Sequence, residues 1–231
     1  MNTGVVIVAA GSGKRMGLGR NKLWLSIDGK SILAHTVERF ATHPEVGEVV
    51  LVVSETDQAD VVAWLAGLPY RKRVTLALGG AERQDSVRAG LAALSDRCTY
   101  VLVHDAARPF VTNQQISEII ARVQQDEAVV MAVPVKDTIK VVNRTGIVEA
   151  TPARESLWAV QTPQAFRLSL LREAHQRALR EQKRATDCAA LVEWLGYPVK
   201  IMSGSYENIK ITTPDDIWFG EEIMRRRRER E

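Results

Sequence analysis

Cysteine is nearly absent from this chain: Cys98 and Cys188 are the two in 231 residues, far apart and in no CxxC pair. That spacing excludes a disulfide scaffold and a cysteine-built zinc site, and it fits a reducing compartment. Long apolar runs are missing too, since no stretch approaches the roughly 18 residues that a membrane span needs. The opening run Val5-Val6-Ile7-Val8 is strand-length and leads into Gly11. It lacks the charged region and longer apolar core of a secretory signal. The expectation is a cytoplasmic protein with no membrane partner. Neither sign of charge dominates, with 31 Lys and Arg against 28 Asp and Glu and a net charge of +3. A basic run, Arg225 to Arg228, closes the chain, but no aromatic residues interleave it. It reads as a solvated helix end, and no nucleic-acid partner is expected.

What is present is an alternation of strand-like and helix-period segments. Val5–Ala10 reads as a strand, and Leu33, Val37 and Phe40 follow at helical spacing behind a Ser31 cap. Strands are expected at Val49–Val53, Val74–Leu78, Tyr100–Val103 and Val129–Val133. Helices marked by Val61/Leu65/Leu68, Val87/Leu91/Leu94 and Ile116–Val123 lie between them. This rhythm predicts an α/β fold, Rossmann-like, with a mostly parallel twisted sheet and helices on both faces. The rhythm breaks after Pro134. Two short β-branched runs flank Asn143-Arg144-Thr145-Gly146, a hairpin signal with no place inside a βαβ series. We read residues 135–160 as a β-arm projecting from a single domain of residues 1–231. Helices at Leu168–Arg180 and Asp187–Leu195, strands at Val199–Met202 and Asn208–Ile211, and a last helix capped by Thr213 before Pro214 complete the expected order.

The loop after the first strand, "AAGSGKRMGLGRNK", holds four glycines and four cationic side chains. Ligands of open α/β sheets bind at the carboxyl ends of strands, and a glycine loop there turns backbone N–H groups toward a phosphate. The spacing is not that of a Walker A loop. It also departs from the dinucleotide fingerprint, because Gly17 comes one residue too late after Gly11 and Gly13. Lys14, Arg15, Arg20 and Lys22 suit a triphosphate, with a solvated basic turn as the plainer alternative. A second polar cluster, "VLVHDAARPF", brings His104 and Asp105 to the end of the fourth strand. A lone Asp beside a triphosphate suits Mg²⁺, which prefers oxygen ligands. A helix cap or an ion pair with Arg108 would explain Asp105 equally, and His104 reads as structural.

Seven segments in order, "AAGSGKRMG", "NKLWLSIDGKSIL", "GGAERQDSV", "VHDAARPF", "PVKDTIK", "RESLWAVQTPQAF" and "ENIKITTPDDI", make the chain resemble the 2-C-methyl-D-erythritol 4-phosphate cytidylyltransferases of the non-mevalonate isoprenoid pathway. The resemblance runs nearly end to end. It implies a nucleotidyltransferase sheet with a β-arm clasping a second subunit, hence a homodimer. It also implies transfer of CMP from CTP to methylerythritol phosphate, with Mg²⁺ or another divalent cation.

Carried over by motif, Arg15 and Lys22 would stabilise the transition state at the α-phosphate. Ala9, Ala10, Gly11, Ser12, Gly13 and Lys14 would cradle the triphosphate, and Gly80, Ala81 and Ser86 would read the cytosine. Asp105 would help hold Mg²⁺ and the ribose–phosphate region. Thr138, Arg154, Thr162 and Lys210 would contact the second substrate, with Arg154 and Lys210 gripping its phosphate and Arg154 reaching into the partner's site. Two positions depart from the family's usual pattern: Leu23 stands where Gln commonly follows the motif lysine, and Cys188 stands where an acidic residue commonly follows Thr186-Asp187. Ribitol-5-phosphate cytidylyltransferases share several of these motifs. "RESLWAVQTPQ" resembles the methylerythritol branch instead. A nicotinamide-dependent oxidoreductase is the alternative from another class.

Overall fold

The apolar run at the N-terminus forms β1 (Thr3–Val8), whose side chains alternate between two cores. Val5 and Ile7 point into one, Val6 into the other, and all three are fully buried. A strand covered on both faces must be apolar throughout, and burial of each such side chain contributes roughly 1.5–3 kcal/mol. The computed structural model describes residues 2–11 and 21–230.

After β1 come a short hairpin, β2 (Ser26–Ile27) and β3 (Lys30–Ser31), and α1 (Ile32–Ala41). Ser31 caps α1 as expected, accepting a hydrogen bond from the Ala34 N–H at 3.2 Å. The alternation then runs β4 (Glu48–Val53), α2 (Gln58–Ala66), β5 (Val74–Leu78), α3 (Arg83–Ala93), β6 (Tyr100–Asp105), α4 (Asn113–Asp126) and β7 (Ala128–Pro134). Two short strands, β8 (Val141–Val142) and β9 (Val148–Ala150), pair around the Asn143–Gly146 turn. The long β10 (Trp158–Arg167) follows, then α5 (Leu168–Arg180), α6 (Cys188–Trp194), β11 (Lys200–Ser203) and α7 (Pro214–Arg228).

Seven strands form one sheet in the order β11-β7-β10-β6-β1-β4-β5. All neighbours are parallel except β10, which runs antiparallel to both β6 and β7. Side chains of α1, α2 and α4 fill the core on one face, and those of α3, α5 and α6 the core on the other. Helix α3 lies close against the sheet at Gly90, where a Cβ would come within 2.4 Å of Val6 Cγ1. Among the described residues, no helix is long and apolar enough to cross a membrane.

Two sequence expectations need correction. Residues 208–211 are not a strand: they cross the carboxyl end of the sheet, tied by isolated bonds such as Ile211 N–H to Ala107 O at 2.8 Å. Their alternating pattern reflects one apolar side turned to the core, with Ile211 fully buried. The arm is also shorter than residues 135–160, because Trp158 already pairs with Pro134 in the main sheet. Strand β10 has no counterpart in the sequence pattern. Its centre, Gln161-Thr162-Pro163-Gln164, is polar and carries a proline, and the register with β7 shifts between Val160 and Gln164 to accommodate it. On the arm, Val141, Val142, Ile147 and Val148 are exposed, as is Ile139 before them.

The basic C-terminal run is neutralised by carboxylates within α7 and outside it, Arg228 pairing with Asp28. Arg225 pairs with Glu222 and Glu229, Arg226 with Glu222, and Arg227 with Glu207. Arg227 also donates to the Phe110 carbonyl at 2.8 Å, which fastens α7 to the chain after β6.

Candidate active site

From β1 the chain builds outward through β4 and β5 on one side, then returns to place β6 on the other. The carboxyl ends of β1 and β6 therefore open a crevice at the point where the direction of winding reverses, the usual ligand position in such sheets. A cavity of about 470 Å³ occupies it. Its walls come from Val8–Gly11 after β1, from Gly80–Arg83 and Ser86 at the start of α3, and from Asp105, Lys22 and Lys210.

Each wall is fixed locally. Gly79 permits a close approach, since a Cβ there would sit 2.4 Å from Ala10 Cβ and 2.7 Å from Ser86 Oγ. The first two turns after strands β1 and β5 are thereby pressed together. Ser86 is 2% exposed; its hydroxyl accepts from the Gly80 N–H at 3.2 Å and donates to the Glu82 carbonyl at 3.1 Å. Lys22 opens a 3-10 turn, Lys22–Trp24, capped by the Asn21 side chain. Asn21 donates to Asp57 Oδ2 at 2.7 Å, anchoring that turn to the start of α2. Lys22 Nζ donates to the Ile211 carbonyl at 2.6 Å, which brings it beside the segment carrying Lys210.

Asp105 ends β6 and is the electrostatic centre of the crevice. Arg83 donates to Oδ1 from Nε at 3.1 Å and from Nη2 at 3.0 Å, and Lys210 Nζ donates to Oδ2 at 2.7 Å. Burial alone would raise its pKa, but the charges of Arg83 and Lys210 outweigh that and hold the carboxyl well below the usual range. Arg83, pulled down by burial, is raised in net by the same carboxylate. Behind Asp105 runs a buried string. Its N–H donates to Thr162 Oγ1 at 3.0 Å, and Thr162 Oγ1 lies 3.1 Å from His104 Nδ1. His104 Nε2 lies 2.9 Å from the Arg108 carbonyl. A hydroxyl that accepts from Asp105 has its proton for Nδ1, so Nε2 carries the His104 hydrogen and donates it to Arg108. Burial pushes the His104 pKa down to about 4, which keeps the ring neutral.

The structure thus gathers Ala9, Ala10, Gly11, Lys22, Gly80, Ala81, Ser86, Asp105 and Lys210 around one crevice. Ser12, Gly13, Lys14 and Arg15 lie outside the described residues. Thr162 is placed beneath the crevice, 4% exposed. Thr138 and Arg154 are exposed on the arm and do not line the cavity of their own chain; Arg154 Nη1 donates to the Lys136 carbonyl at 3.1 Å. Cys188 is buried, with Sγ 4.0 Å from Arg83 Nη1. Burial raises that thiol to about 11. Leu23 is buried in the core beside Lys22.

The sequence motifs leave Arg83 outside the site, since its partner is distant along the chain. An arginine at the first position of a helix opposes the helix dipole, so a cation there needs a compensating anion. Asp105 is that anion, at a sequence separation no local pattern reveals.

A cationic crevice at the switch point of a mostly parallel sheet, bordered by close-packed glycine turns, is the setting of the α/β nucleotidyltransferases. The sequence model of one such family, 2-C-methyl-D-erythritol 4-phosphate cytidylyltransferase, matches residues 3–226. The chain belongs to that family. The protein of that name from Bacillus velezensis is 50% identical over 222 residues, covering 96% of this chain and 95% of the relative. The one from Halalkalibacterium halodurans is 48% identical over 224 residues, covering 97% of each. Among solved structures, 4-diphosphocytidyl-2C-methyl-D-erythritol synthase from Anaerococcus prevotii superposes with a TM-score of 0.86 at 29% identity, covering 96% of each chain. The Thermus thermophilus cytidylyltransferase gives a TM-score of 0.78 at 34% identity, covering 97% of this chain and 100% of that one.

Proposed function

We propose that this chain transfers CMP from CTP to 2-C-methyl-D-erythritol 4-phosphate, giving 4-diphosphocytidyl-2-C-methyl-D-erythritol and pyrophosphate. An oxygen of the acceptor phosphate attacks the α-phosphorus of CTP. The bond from that phosphorus to the bridging oxygen breaks, and pyrophosphate leaves with the electron pair. A phosphate monoester is already anionic at neutral pH, so the attack needs no general base. His104, neutral and bonded on both sides, has no part in proton transfer. Rate enhancement then rests on positioning and on cations facing the phosphoryl oxygens.

The observation that carries this reading is the convergence of Lys22, Asp105 and Lys210 between the Gly11 and Gly80 turns. Lys22 and Arg15 would neutralise charge growing at the α-phosphate, and Lys210 would hold the acceptor phosphate. Ser86, whose proton goes to Glu82, has a lone pair left for an amino group such as the cytosine N4. Among the described residues no cluster of three or more metal-ligating side chains occurs. A hard divalent cation such as Mg²⁺ would accompany the triphosphate, and Asp105, whose oxygens are shared by Arg83 and Lys210, is the crevice carboxylate that would face it. When bound, it would polarise the phosphoryl oxygens.

We read the exposed apolar arm as a dimerisation element, with Arg154 and Thr138 serving the partner's crevice, and the protein as cytoplasmic. The test is pyrophosphate release from CTP with methylerythritol phosphate and ribitol 5-phosphate assayed side by side. Release with the first and not the second is expected; the reverse preference overturns the substrate assignment.

A further inference from the structure

We infer that Arg83 is a positioning residue that sets how much of the Lys210 charge is available to the acceptor phosphate. It acts through Asp105. Both Arg83 contacts fall on the same oxygen, Oδ1, at 3.1 and 3.0 Å, while Lys210 holds Oδ2 at 2.7 Å. One carboxylate is thus shared between two cations, one on each oxygen. Arg83 is the more enclosed of the two, with its side chain 28% exposed against 37% for Lys210. Both cations line the crevice, and Lys210, the more open of the two, faces it while paired to Oδ2. Among the described residues, Arg83 and Lys210 are the direct ion partners of Asp105. Without Arg83, the buried carboxylate would keep Lys210 as its direct ion partner among the described residues, with the Arg108 charge nearby, and a desolvated ion of that kind holds its remaining partner tightly. Lys210 would then be withdrawn from an incoming phosphate.

The placement also joins the two halves of the site. Arg83 is the first residue of α3, separated by Glu82 from the Gly80-Ala81 turn against which the base is proposed to lie. Lys210 belongs to the segment crossing the carboxyl end of the sheet from the other side. Asp105 bridges them, so the nucleotide wall and the acceptor wall are held in register by one carboxylate.

The inference rests on the cytidylyl-transfer reading, and one set of measurements separates the two. Wild type, Arg83→Gln, Arg83→Lys, Lys210→Ala and the Arg83→Gln/Lys210→Ala double variant are assayed for pyrophosphate release while each substrate is varied. Thermal melting of each variant checks that it is folded. Arg83→Gln is expected to raise KM for methylerythritol phosphate roughly tenfold or more while KM for CTP moves less than about threefold. Arg83→Lys, keeping the charge but losing the paired contact, should recover part of that loss. The double variant should be little worse than Lys210→Ala alone, since the effect of Arg83 passes through Lys210. Equal changes in both KM values, no recovery with lysine, or additive losses in the double variant overturn the positioning role and leave the reaction assignment standing. A folded wild-type protein that releases no pyrophosphate with either acceptor overturns the reaction assignment, and the inference with it.

Discussion

The Ser86 hydroxyl accepts the Gly80 N–H at 3.2 Å and gives its own proton to the Glu82 carbonyl at 3.1 Å. Toward the crevice it can therefore act only as an acceptor. An acceptor favours the 4-amino group of cytosine and opposes the 4-oxo group of uracil. CTP should be used in preference to UTP, with purine triphosphates poorer still because the larger ring cannot lie in the same space. Ser86→Ala should narrow the CTP-to-UTP ratio of kcat/KM by roughly tenfold, the scale of one unmade hydrogen bond. A competition assay with both nucleotides reads it directly. An unchanged ratio in the variant removes Ser86 from base selection.

Lys22 lies beside the Lys210 segment, its ammonium 2.6 Å from the Ile211 carbonyl. Lys22→Ala should lower kcat by roughly 10²-fold or more, with a smaller change in CTP affinity, because its contact strengthens as charge builds at the α-phosphorus. The same pattern is expected for Arg15→Ala. Steady-state kinetics with CTP varied separates turnover from affinity. Loss of affinity alone would assign these cations to ground-state binding.

Buried His104 and His175 make the fold less stable toward acid pH. Burial lowers His104 to about 4, and burial, with the Arg88 and Arg83 charges, lowers His175 to about 4. A histidine whose folded pKa lies below its unfolded value of about 6.5 binds protons more readily when unfolded. Its stabilising contribution is complete above that unfolded value and is lost as pH falls toward 4. Unfolding free energy should drop by up to roughly 1.4 kcal/mol per pH unit for each histidine across that window. Urea titrations at pH 7, 6 and 5 measure the slope. Among the described residues His175 makes no hydrogen bond through either ring nitrogen. His175→Phe should therefore fold and flatten the slope by one histidine's share.

The arm predicts a shared site. A two-stranded hairpin with Val141, Val142, Ile147 and Val148 exposed is marginal by itself in water. A second copy of the arm is the surface that would cover it. Lys22→Ala and Arg154→Ala proteins, each inactive, should regain activity when mixed under conditions that allow subunit exchange. Each mixed dimer would hold one site with both defects and one with neither, approaching half the wild-type activity. Verified exchange without recovery would place Arg154 in the service of its own chain.

Local periodicity determined most of this architecture. An apolar run covered on both faces can only be a central strand, and Ser31 and Thr213 announced their helices because an orphan N–H needs a nearby acceptor. The hairpin at Asn143–Gly146 was legible because its turn chemistry is local as well. The glycine turns and Asp105 could be set at strand ends for the same reason. Strand β10 and the 208–211 crossing were decided only in three dimensions. Gln161 and Gln164 are buried in β10 because Ser205 and Asp187 accept their side-chain amides, and those partners lie tens of residues away. Arg83 likewise shows its role only once β6 brings Asp105 beside the start of α3. A buried polar group is stable only with its partner in place, and pairing across such distances is set by how the sheet is wound, not by spacing along the chain.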